Sequence, residues 1–82
     1  MVLASAFKLD ELVGKKVKAL REFAMVPVGT TGTVSSTYNI GSRHRGINVE
    51  WDVLISSWST RRLTDGFGRD QDLDETQWLE VI

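Results

Sequence analysis

The residues best equipped for chemistry in this chain stand together in one short loop, Arg43-His44-Arg45, bracketed by Gly41 and Gly46. His44 is the sole histidine. An imidazole acts as a general base only when another group orients it and a substrate or nucleophile lies within reach. No serine–histidine–carboxylate constellation is evident. The loop reads as a basic recognition surface. With Lys15, Lys16 and Lys18 it could contact phosphates, and aromatic side chains that stack on bases would complete a nucleic-acid site. Phe23, Tyr38 and Trp58 are the candidates for that stacking. Opposing it, the isoelectric point is near 5.7, whereas a dedicated nucleic-acid binder is normally basic.

The carboxylates of Asp70-Gln71-Asp72-Leu73-Asp74 alternate like those of a calcium loop. Such a loop needs glycine at its sixth position and glutamate at its twelfth, and here Glu75 and Val81 stand there. The run reads as a solvated acidic loop, with protein docking as its functional variant. Trp58, set among Ser56, Ser57 and Ser59, is the tryptophan least explained by packing, and an exposed tryptophan is a frequent binding hot spot. Folding back over the domain is the other reading for it. There is no cysteine, so thiolate metal sites, disulfides and thiol nucleophiles are excluded. No phosphate-cradling glycine motif or dinucleotide fingerprint is present. The expectation is a protein with no catalytic residue, cofactor or metal, whose partner-binding candidates are Phe23, Tyr38, Arg43, His44, Arg45 and Trp58.

Positioning these residues falls to a chain of 82 residues, the size of one domain with a small core. Hydrophobic residues make up 41%, which argues against disorder. No apolar run approaches the roughly 20 residues of a membrane span. The first residues have no basic segment ahead of a short apolar stretch, a poor secretory signal. Together with the lack of cysteine, this gives the expectation of a cytoplasmic protein. Formal net charge is −1, but it is unevenly spread: +4 over Met1 to Arg62 and −5 over Leu63 to Ile82. In so small a domain the two segments are expected to lie side by side and neutralise each other.

Residues 1–13 read as a lead-in with one loose helical turn, too short to stand alone. Beyond Gly14, polar and apolar residues alternate over Lys16 to Arg21, the first expected strand. Glu22 to Thr31 is a loop built around Pro27 and Gly29. Gly32 to Tyr38 is the second strand, with Val34, Ser36 and Tyr38 on one face. Asn39 to Gly46 connects it to the third, where Ile47, Val49 and Trp51 alternate with Asn48, Glu50 and Asp52. Val53 to Ser59 suits a hairpin loop or an edge strand. Thr60 to Leu63 is a short fourth strand, Asp65 to Gly68 a turn, and Trp78 to Ile82 a closing fifth strand. Trp51 belongs to the core, and Trp78 to one end of the barrel. The pattern predicts an all-β fold, a small five-stranded barrel over residues 14–82.

Gly14-Lys15-Lys16-Val17, Pro27-Val28-Gly29-Thr30-Thr31-Gly32-Thr33-Val34, Val49-Glu50-Trp51-Asp52 and Trp78-Leu79-Glu80-Val81-Ile82 together resemble the SH3-like small barrels. The turn into the second strand is similar to that of bacterial SH3-like accessory subunits, such as the nitrile hydratase β-subunit, and loosely to KOW-type domains. The resemblance implies a fold more than an activity. The first loop, Arg21 to Val26, lacks the tyrosines and acidic cluster with which signalling SH3 domains bind polyproline, so proline-rich ligands are disfavoured. The resulting expectation is a non-enzymatic module that docks on a larger protein through its loops. RNA or DNA binding through the basic loop and exposed aromatics is the alternative. No membrane partner is expected, and the sequence specifies no oligomeric state.

Overall fold

Alternation of apolar and polar side chains builds most of the molecule, because each strand must bury one face and wet the other. In a computed structural model, which describes residues 2–22, 26–54 and 61–82, this produces six antiparallel strands: β1 (Val2–Leu3), β2 (Lys16–Ala19), β3 (Thr31–Tyr38), β4 (Gly46–Leu54), β5 (Arg62–Gly68) and β6 (Leu79–Val81). The sheet order is β1-β6-β2-β3-β4-β5. Strands β2 to β5 follow one another as a meander, and β6 returns to pair with β2 and β1. The fold is all-β and compatible with an SH3-like barrel. It differs from the expected five-stranded cylinder in two ways. The lead-in contributes a sixth strand, and the sheet is open, with β1 and β5 as its edges among the described residues.

The core lies on one face of this sheet. Val17 and Ala19 of β2, Val34 of β3, Ile47, Val49 and Trp51 of β4, Phe67 of β5 and Leu79 of β6 are all buried. Trp51 is fully buried, meets the Phe67 ring edge-on at 6.1 Å between centroids, and donates its indole N–H to the Asp65 carboxylate at 2.9 Å. A buried indole needs such an acceptor. Trp78 is partly buried against this core. The lead-in also packs into it: Ala4, in a 3₁₀ turn (Ala4–Ala6), and Leu9 and Leu12, three apart on the single helical turn α1 (Leu9–Leu12), are buried. Glu11 accepts the Lys8 backbone N–H at 2.9 Å and closes the start of α1.

Several local expectations are corrected. Asp65 to Gly68 does not turn but continues β5, pairing with Gly46 to Val49 of β4. The acidic run is a π-helical turn (Arg69–Glu75) rather than a loop, because Leu73 in its middle is buried and anchors it. Val53 belongs to β4, while residues 55–60, including Trp58 and Thr60, lie outside the described residues, as do Phe23, Ala24 and Met25. The basic and acidic segments interleave as expected. Lys18 pairs with the buried Glu80 at 2.9 Å and Arg45 with Asp70 at 3.3 Å. On the outer face, Asp52 accepts from Thr31 at 2.7 Å, Lys16 at 3.3 Å and Arg62 at 3.0 Å. The Thr31 hydrogen bond, with help from the two cations, holds its carboxyl below the usual range. No described helix is long and apolar enough to cross a membrane.

Gly32 is paired with Trp51 on the core face. A Cβ there would stand 2.9 Å from the indole, 2.8 Å from the Glu50 carbonyl and 3.0 Å from Val49 Cγ1. None of the three can withdraw from a packed core. Gly32→Ala is therefore expected to destabilise the fold by about 1–3 kcal/mol, the usual cost of overpacking, measured by urea denaturation. A neutral or stabilising result would show that the indole is not held where the structure places it.

Candidate functional site

The site begins with an irregularity in β3. Val34 pairs with Val49, yet Ser36 pairs with Asn48, so Ser35 is an extra residue with no partner position. Such a bulge reverses the alternation beyond it. Thr37 then stands opposite the buried Ile47, on the core face, and Tyr38 opposite Gly46, on the outer face. Val34 and Tyr38 therefore do not share a face, contrary to the sequence pattern. Tyr38 can lie against the outer surface because the adjacent positions are glycines. A Cβ on Gly46 would fall on the Tyr38 hydroxyl and the Phe67 carbonyl, and one on Gly66 would touch the ring at 3.5 Å. Gly46 pairs with Gly68, and Asn48 with Gly66. A trough of glycines across β4 and β5 thus receives the ring.

Beyond Tyr38 the chain reverses sharply. Asn39 and Gly41 take positive φ, 51° and 91°, which asparagine and glycine tolerate best. Ser42 organises the rest of the loop: its N–H donates to the Asn39 carbonyl at 3.0 Å, its hydroxyl accepts the His44 N–H at 3.0 Å, and its carbonyl accepts the Arg45 N–H at 3.3 Å. Opposite stands the π-helical turn, fastened by the Asp72 carboxylate, which accepts the Gly68 N–H at 2.8 Å. The Arg69 N–H donates to the Arg45 carbonyl at 2.9 Å and ties loop to turn.

Between loop and turn lies a cleft of about 290 Å³. Tyr38, Arg43, His44 and Arg45 all line it, so the fold gathers four of the six residues singled out in the sequence. Phe23 and Trp58 lie outside the described residues. Gly68, Arg69, Asp70, Gln71 and Asp72 complete the cleft; the sequence marks Asp70 to Asp74 as an acidic run with protein docking as its functional variant, but only the π-helical turn brings it opposite the basic loop. Lys15, Lys16 and Lys18 do not line it. Lys15 sits over the Phe7 ring at 5.2 Å, and the other two hold Asp52 and Glu80. The three lysines expected to join the basic loop are therefore not part of the cleft.

The electrostatics of the cleft are mixed. Arg45 pairs with Asp70, while Arg43 makes no ion pair among the described residues. Arg69 is engaged elsewhere, donating to the carbonyls of Phe7 at 2.5 Å and Ser5 at 2.6 Å and pairing with Asp74 at 3.1 Å. Burial, reinforced by the Asp72 carboxylate, pushes the Tyr38 phenol above its ordinary value, so its hydroxyl stays a neutral donor and acceptor at physiological pH. A second hollow of about 530 Å³ adjoins the cleft. It is lined by the lead-in from Ser5 to Asp10 and by Ile40, and it shares Arg45 and Arg69 with the cleft.

Two measurements test this geometry. Gly46→Ala should expel the Tyr38 ring and lower stability by about 1–3 kcal/mol, whereas Gly66→Ala, with room at 3.5 Å, should be tolerated. Equal effects would contradict the trough. Because the folded-state phenol value is raised, its contribution is fully present below pH about 10 and is lost as pH rises through the folded-state value. Stability of the parent should therefore fall more steeply than that of Tyr38→Phe in denaturation at alkaline pH, and parallel curves would exclude the effect. Compared with protein-family models, curated proteins and solved structures, the chain finds no match.

Proposed function

We propose that this protein is a non-enzymatic, cytoplasmic interaction module of the SH3-like barrel type that docks on a larger protein through the cleft between residues 39–45 and the π-helical turn. The observation that carries this reading is the convergence of Tyr38, Arg43, His44 and Arg45 on one cleft, with the Arg43 guanidinium lacking an ion pair among the described residues. Loops presented by a rigid sheet are common recognition surfaces, and arginine and tyrosine are among the side chains that most often dominate binding energy there. His44 is exposed on the same rim and available for hydrogen bonding. RNA or DNA binding is the second reading, supported by the aromatic ring beside the basic loop. The excess of acid that gives an isoelectric point near 5.7 weighs against it, because a nucleic-acid-binding domain is normally basic.

The test is a binding titration with a partner identified by chemical cross-linking in cells and then purified. Arg43→Glu is expected to weaken the complex by about tenfold or more, the scale of a hot-spot loss. Wild-type affinity in an Arg43→Glu, His44→Ala double variant would overturn the proposal. Binding of a single-stranded oligonucleotide that weakens steeply with salt would replace it with the second reading.

A further inference from the structure

The cleft and the neighbouring hollow share Arg45 and Arg69, so they adjoin as the polar and the apolar half of one grooved surface. The apolar half is contributed by Phe7 and Leu9 of the lead-in and by Ile40, which is 63% exposed although it stands beside these apolar groups.

The two shared arginines differ in how firmly they are held. Arg69 is 18% exposed and makes three short contacts, to two carbonyls and Asp74. Arg45 reaches Asp70 only at 3.3 Å and the Ser42 carbonyl at 3.4 Å, and the Asp70 side chain is 58% exposed. An exposed pair with such long contacts is weak and readily exchanged. Arg45 can therefore release Asp70 to an incoming carboxylate, which a guanidinium binds in bidentate fashion. Arg43 adds a second positive charge on the same side.

We propose that the groove receives an extended segment of a partner protein carrying a large aliphatic side chain and, a short distance along it, an aspartate or glutamate. The aliphatic side chain seats on Phe7, Leu9 and Ile40, and the carboxylate binds Arg45 with Arg43 beside it. This rests on the docking reading above and specifies the chemistry of the partner. The lead-in is thereby part of the recognition surface, held in place by Arg69.

Selection of random heptapeptides displayed on phage against the full chain tests it. The expected consensus pairs leucine, isoleucine or phenylalanine with aspartate or glutamate. The selected peptide should lose about tenfold in affinity on Ile40→Ser, on Arg45→Gln, and when its own acid is replaced by the amide. Ile40 and Arg45 both reach solvent, and circular dichroism of each variant confirms that it remains folded. No enrichment, a proline-rich or basic consensus, or unchanged binding to both variants would overturn the inference. If Arg43→Glu abolishes docking on the purified partner while Ile40→Ser and Arg45→Gln leave it intact, this inference fails and the docking reading stands. If none of the three variants affects the partner, both fail.

Discussion

One unpaired residue on β3 decides which side chains this domain presents on its outer face. Side chains on a strand alternate with period two, so if Ser35 were paired in regular register the ring of Tyr38 would share a face with Val34 and point into the core. The bulge sends Thr37 inward and Tyr38 outward, with Gly46 directly opposite. The outward ring needs a surface without side chains, and Gly46 and Gly66 provide one. That same placement sets Tyr38 beneath the basic loop and next to the π-helical turn, where it becomes the floor of the cleft.

A second dependence runs through Arg69. Its backbone N–H holds the basic loop, and its guanidinium holds the carbonyls of Ser5 and Phe7. Hydrogen bonds from a charged donor contribute about 1.5–3 kcal/mol each when well formed, a large share of the stability of a domain this small. The lead-in is thus joined to the sheet at two points: by β1 pairing with β6, and by Arg69 at the carbonyls of Ser5 and Phe7 that flank the end of the 3₁₀ turn. Ala4, Leu9 and Leu12 then complete the core from the same segment. Leu9 both lines the hollow and belongs to the core, which couples the shape of the hollow to folding.

The strands β2 and β4, and β3 as far as Val34, are legible in the sequence because their alternation is regular and Val17, Val34, Ile47, Val49 and Trp51 all face the core. Strand β5 is concealed because Asp65-Gly66-Phe67-Gly68 has the composition of a turn. Gly66 is there to admit Tyr38, and Asp65 to accept the Trp51 indole N–H. Both reasons are tertiary and leave no local trace. The π-helical turn is hidden because a single apolar residue, Leu73, anchors a run that is otherwise polar or charged from Arg69 to Glu75. A bulge has almost no sequence signature; the adjacent pair Ser35-Ser36, which breaks the alternation of β3, is the one sign of it. The basic loop stands out by composition, but its opposite wall, Arg69, Gln71 and Asp72, depends on a turn that can be recognised only in three dimensions.

The position of the Tyr38 ring is therefore the claim on which the rest stands, and nuclear Overhauser effects in solution report it directly. The account predicts contacts from the Tyr38 ring protons to the α-protons of Gly46 and Gly66, with those protons shifted upfield by the ring current. Contacts from the ring to Val34 and Val49 methyl groups instead would place Tyr38 in the core and contradict the account.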